Sequence, residues 1–269
     1  DKHAYKFKLT IKTVLYVMSF PSDLAFLVDK MKEKKTLSMK TIGEYLKLLQ
    51  TAGQIFSEMA ACKDKRANKR EKSRVSCYLK YSSLYMGLLN SISSCLYHLG
   101  EDRLRLLKGL SILERSPADA LKLLKPITLK HLDAVSDDDV VEDDKISEGL
   151  MDVGWVWFWA CYTVLGALSI DSIKWEKKRR KVSLLCGFSL KNYKLEVKEI
   201  DEINEGFVKL KTKIEEGQTF GDEVLRVCRM VEEFGKDLDK LEKEVNRLFF
   251  DVLAVRDMLL DTIRENLAS

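Results

Sequence analysis

"DVGWVWFWACYTVLGALSID", residues 152–171, carries 18 residues without a formal charge between Asp152 and Asp171. Three of the chain's four tryptophans, Trp155, Trp157 and Trp159, lie inside it, and the fourth, Trp175, follows closely. As a helix these residues reach about 27 Å, close to the roughly 30 Å hydrocarbon layer of a bilayer. Aromatics gather near one end and "KWEKKRRK" (174–181) follows the other, an order that suits a membrane span. Gly154, Ala160, Gly166 and Ala167 suit a different place, because small residues let neighbouring helices approach, and a helix apolar all round belongs at the centre of a bundle. The flanking segments decide between the two. A single span would divide long amphipathic helices between two compartments with their stripes unmatched. The expected structure is therefore a buried helix in which Trp155, Trp157, Trp159 and Leu165 are packed; use of 153–170 as a membrane span or anchor is the alternative.

Upstream, "FPSD" (20–23) opens a helix carrying Leu24, Leu27, Val28 and Met31. A second begins near Ser38, with Ile42, Tyr45, Leu46, Leu49, Ile55, Phe56 and Met59 on one stripe, and the basic run "KDKRANKREKSR" (63–74) follows as a linker. A third starts near Arg74, carries Leu79, Leu84, Leu88, Leu89, Ile92, Leu96 and Leu99, and continues past Gly100 as one long helix. "SPADALKLLKPI" (116–127) gives a short helix, with Ser116 as N-cap and Pro117 at its first position, where a missing N–H costs nothing. The acidic run "SDDDVVEDD" (136–144) reads as a loop.

Downstream, residues 192–217 form an amphipathic helix through Leu195, Ile200, Ile203, Val208, Leu210 and Ile214, while 182–190 show no clear pattern. The strongest periodicity comes last. Val224, Val227, Val231, Phe234, Leu238, Leu241, Val245, Leu248, Val252, Val255 and Leu259 recur three and four apart, the seam of a coiled-coil-like helix. From Phe220 to Asn266 it spans about 70 Å. Gly235 is a candidate kink, and from Leu248 onward Phe249, Phe250, Leu253, Met258 and Leu260 widen the apolar face, which predicts burial on several sides. The seam is expected to pair with the long third helix of the same chain, which favours a monomer over an oligomer joined through it. The fold class is all-α: an elongated antiparallel helical bundle with long coiled-coil-like helices around a central apolar helix. Residues 1–269 read as one domain, with flexible charged loops near 63–74 and 133–147.

Hydrophobic content of 46% supports a sizeable core, and a net charge of +4 is small for 269 residues. Each like-charged run reads first as a solvated face. Six scattered cysteines without CxxC spacing, and no cleavable leader in the chain as it begins at Asp1, point to a reducing, cytoplasmic compartment, although that start leaves a removed leader open. "EKKRRKV" (176–182) has the density of a nuclear import signal. Without aromatics interleaved among the lysines, nucleic-acid binding is not expected. Nucleotide-binding and common hydrolase motifs are absent, and His3, His98 and His131 have no partner at ligand spacing. Paired acids such as Asp138 and Asp139 sit in a polar run that gives no means of raising a pKa. No catalytic, metal or cofactor site is expected.

Three blocks resemble the plant BYPASS-like family of helical proteins, which includes relatives linked to the exocyst. The first spans 20–49, with Phe20, Leu24, Leu27, Leu37, Ser38, Leu46 and Leu49. The second, "YLKYSSLYMGLLNSISS", matches through Tyr78, Leu79, Ser82, Asn90, Ser93 and Ser94. The third, "LEKEVNRLFFDVLAVRDMLLDTI", matches through Leu241, Glu242, Leu248, Phe249, Arg256, Leu259, Leu260 and Ile263. Gly87 and Leu89 stand where the family usually has Asp and Cys, and Phe250 where it usually has a basic residue. The resemblance covers the chain in order and implies a non-enzymatic plant regulator or adaptor of growth or stress signalling. Other proteins are then the expected partners. An anionic membrane surface is a second one, met by Lys174, Lys177, Lys178, Arg179, Arg180 and Lys181 at about 1 kcal/mol per basic residue.

Overall fold

A computed structural model of the chain describes residues 36–61, 68–132, 148–170, 174–175, 177–178 and 195–268. The expected helix at Leu24–Met31, the acidic loop at 133–147, residues 63–67 of the basic linker, and Arg179, Arg180 and Lys181 lie outside the described residues, as does His3. The elements are β1 (Thr36–Leu37), α1 (Met39–Ala61), α2 (Asn68–Ile112), α3 (Pro117–Leu123), α4 (Glu148–Leu168), β2 (Glu196–Val197), α5 (Lys198–Glu215) and α6 (Gly221–Ala268). The described fold is all-α apart from the two short strands, which pair in parallel.

The apolar segment becomes α4, and every residue from Trp157 to Ser169 is buried. Uniform apolarity forces this, since no face of such a helix is content in water. Its two internal hydroxyls are satisfied locally: Thr163 Oγ1 donates to Trp159 O at 2.9 Å and Ser169 Oγ to Leu165 O at 2.8 Å. α1 and α2 pack on α4 and also on α6. Among the described residues no helix is long and apolar enough to cross a membrane. Trp155 lies in α4, but its side chain is not among those described.

The long third helix is continuous through Gly100, as expected, but begins at Asn68. Residues 68–74 of the basic run are thus helical rather than linker: lysine and arginine are good helix formers, and charge alone does not stop a helix. Residues 195–197 correct another expectation. Leu195 precedes β2, whose pairing with β1 delays the start of α5 to Lys198. Ser116 occupies the N-cap position of α3, yet its hydroxyl donates to Asp119 Oδ2 at 2.9 Å rather than capping a backbone N–H. Gly217, at φ +65°, ends α5, with the Gln218 N–H bonded back to Lys213 O.

α6 runs 48 residues, about 72 Å. Its seam is buried at Val227, Val231, Phe234, Leu238, Leu241, Val245, Leu248, Val252 and Leu259, facing α1, α2 and α5 of the same chain. The second half departs from the expected burial on several sides. Phe250 is 65% and Met258 50% exposed, because α1 and α2 cover one side and no other described helix packs extensively on α6 there. Arg256 of α6 donates to Leu79 O and Ser82 Oγ near the start of α2, while Gly235 lies against Arg103 nearer its end.

A polar clamp ties the segment after α3 to two helices. Asp102 accepts from Arg105 and from the Thr128 N–H, and Arg105 Nη1 donates to Leu123 O and Lys125 O. Asn204 both accepts from and donates to the Ile127 backbone. Backbone groups that belong to no helix or sheet are satisfied this way.

Candidate functional site

Trp157, at the middle of the core, is fixed from all sides. Its indole N–H donates to Leu49 O at 3.2 Å, Tyr85 stacks on it at 4.3 Å between ring centres, and Phe56 meets it edge-on at 4.9 Å. Gly53 permits the close approach of α1, since a Cβ there would sit 3.0 Å from the indole ring. Trp159 meets Tyr45 edge-on at 5.9 Å, and Leu165 is fully buried. These three side chains are packing elements.

Between α1 and α6, beside this aromatic centre, a groove of about 340 Å³ remains. α1 lines it with Gln50, Gly53, Gln54 and Ser57; α6 lines it with Leu248, Asp251, Val252 and Ala254; Tyr78 and Tyr85 of α2 close its floor. Both tyrosines are fully buried, and their phenolic oxygens have no hydrogen-bond partner among the described residues. Burial pushes both phenols well above their ordinary range; the Arg256 charge pulls that of Tyr78 back in part. For Tyr85, the neighbouring Cys161, Tyr78 and Asp251 add to the rise. Asp251 is exposed at the rim and makes no ion pair or hydrogen bond with a described residue. At one end the Gln50 side-chain amide lies against the Arg247 guanidinium. At the other, Arg256 is held by Leu79 and Ser82.

The basic run gathers differently. Trp175 is buried and stacks on Tyr162 at 5.8 Å. Lys174 and Lys178 lie over its ring at 5.7 and 5.5 Å, and Lys178 also lies 6.0 Å from the Tyr162 ring. Such cation–aromatic contacts draw the two ammonium groups back onto the protein. Lys177 is exposed. Among the described residues no group of His, Cys, Asp and Glu is arranged to hold a metal ion.

The groove was missed by reasoning from the sequence. Its one signal there is the set Tyr78, Tyr81 and Tyr85, which places three hydroxyl-bearing side chains on the core face of one helix. Compared with known proteins, the chain matches no family model, no curated protein and no solved structure.

Proposed function

We propose that this chain is a non-enzymatic adaptor or regulatory protein, an elongated antiparallel bundle with coiled-coil-like long helices that works through protein contacts on its outer faces. The observation that carries the reading is the outer face of α6. Phe250, Ala254 and Met258 recur every four residues and are exposed, and Asp251, Asp257 and Asp261 flank them. An exposed apolar strip edged by carboxylates suits an apolar partner surface that carries lysine or arginine. The opposed contacts of Arg256 with Leu79 and of Gly235 with Arg103 support the antiparallel arrangement. The place in plant growth or stress signalling rests on the resemblance to the BYPASS-like family alone; Ser82 and Arg256, from two different blocks of that resemblance, meet at 2.7 Å.

The test is capture of proteins from plant extract by the wild-type chain and by a Phe250→Glu, Met258→Glu double variant. Both positions face solvent, so thermal melting should stay within about 2 °C of wild type while the captured set changes. An unchanged set rules this face out.

A second reading, peripheral attachment to an anionic membrane, is favoured by exposed Lys177 beside Lys174 and Lys178. Sedimentation with anionic and neutral liposomes tests it: binding to anionic vesicles alone supports it, and equal binding to both rejects it.

A further inference from the structure

The seam of α6 is buried against helices of its own chain, so whatever else meets this helix meets its opposite side. Charge is ordered along that side. At about 100° per residue, Lys243, Arg247, Asp261 and Glu265 project within about 40° of the line that carries Phe250, Ala254 and Met258, and all of them are exposed. The strip is therefore basic at its start, apolar in its middle and acidic at its end. Ala254 is its midpoint: Phe250 and Met258 lie four residues to either side, Arg247 and Asp261 seven, and Lys243 and Glu265 eleven. A two-fold axis through Ala254 lays a second copy of the strip antiparallel on the first, and each residue then meets its complement. Phe250 packs beside Met258, Arg247 faces Asp261 and Lys243 faces Glu265, each pairing made twice. A parallel alignment would instead set Arg247 against Arg247 and Asp261 against Asp261. Asp251 and Asp257, three residues before and after Ala254, fall about 60° to opposite sides of the strip, which keeps the carboxylate of one copy apart from that of the other. Arg247 lies against the Gln50 amide, and Asp261 accepts from Arg264 at 2.8 Å. A guanidinium with five N–H groups and a carboxylate with several lone pairs each have capacity for a further bond outward.

We propose that the occupant of the α6 docking face is a second copy of this chain, held as an antiparallel two-fold dimer centred on Ala254. The inference rests on the reading of that face as a docking surface and names its partner. From Lys243 to Glu265 the strip is about 33 Å long on a single helix, small for a stable interface, so the dimer dissociates on the order of 10–100 µM. Its ion pairs are exposed, and added salt weakens it.

Sedimentation equilibrium of the full chain, from about 0.01 to 0.5 mM, tests it on wild type, Arg247→Glu, Asp261→Arg and an equimolar mixture of the two variants. Both positions are exposed, and circular dichroism confirms that each variant is folded. Wild type should pass from monomer to dimer across this range. Each variant alone sets like charges together twice in its own dimer and should self-associate at least about tenfold more weakly. The mixture should associate about as tightly as wild type, because the introduced glutamate of one chain faces the introduced arginine of the other, while native Arg247 and Asp261 face each other at the second pairing. The proposal is overturned by a wild-type chain that stays monomeric, by a single variant that associates as well as wild type, or by a mixture no tighter than its components. The docking face itself stands or falls separately, on whether Phe250→Glu, Met258→Glu changes the proteins captured from extract.

Discussion

At Gly235 the missing side chain is what lets α2 and α6 come together, because a Cβ there would fall on the Nε, Cζ and Cδ atoms of Arg103. α6 runs on through this glycine as one helix. Nε and Cζ belong to the guanidinium and Cδ carries it, so the whole end of the arginine side chain would have to leave this contact. Two effects then compete in Gly235→Ala. Alanine favours the helix by about 1 kcal/mol, and displacing a half-buried guanidinium costs more. We expect a net loss of about 1 kcal/mol in urea unfolding. In an Arg103→Ala background the sign should reverse, to a gain of about 1 kcal/mol, since only the propensity effect remains. A loss of equal size in both backgrounds would show that Arg103 is not the obstacle. Gly87, with nothing near its would-be Cβ, is the control: alanine there should stabilise outright.

At the level of elements, the short parallel pairing of β1 with β2 brings the start of α5 against the start of α1. Glu199 Oε2 accepts from the Met39 N–H at 3.0 Å, satisfying one of the orphan donors at the head of α1. Burial raises the Glu199 pKa above its ordinary 4.5; the N–H groups of Glu199 and Met39 oppose the rise, and the charges of Asp237 and Glu202 add to it. Between 4.5 and the raised value the folded chain holds more protons at this site than the unfolded chain. Stability from this group is thus fully present below 4.5 and is lost as pH rises through the folded pKa. The carboxyl is half exposed, so water screens the effect and it stays small. Glu199→Gln keeps an oxygen for Met39 and removes the charge. Across pH 4–7 the urea midpoint of Glu199→Gln relative to wild type should rise as pH passes through the folded Glu199 pKa, and it should exceed wild type at pH 7. Parallel slopes for the two proteins would remove Glu199 from the account.

Over the whole molecule, what was legible in the sequence was whatever periodicity alone decides. The seam from Val227 to Leu259 is buried as its spacing requires, and a segment as uniformly apolar as 153–170 had to be enclosed somewhere. What was not legible depended on which helices lie beside which. Phe250 and Met258 extend the apolar pattern of α6, but their exposure follows from where α1 and α2 stop covering it. The groove floor needs Tyr78 and Tyr85 to come under Gln50 and Asp251, residues more than 160 positions away in the second case, and no local pattern encodes that. The same geometry makes Trp157 a test of how the molecule holds together. Its indole touches α1 through Leu49 and Phe56 and α2 through Tyr78 and Tyr85, and these two helices carry α6 on their other side. Trp157→Ala leaves a cavity shared by three helices and should cost about 3–5 kcal/mol. If α1 and α2 transmit that loss, the urea midpoint should fall by the same amount whether followed by near-ultraviolet aromatic signals, which report the core, or by far-ultraviolet helicity, to which α2 and α6 contribute most. A helical signal that keeps its wild-type midpoint while the aromatic one falls would show that α6 is held by contacts independent of the tryptophan centre.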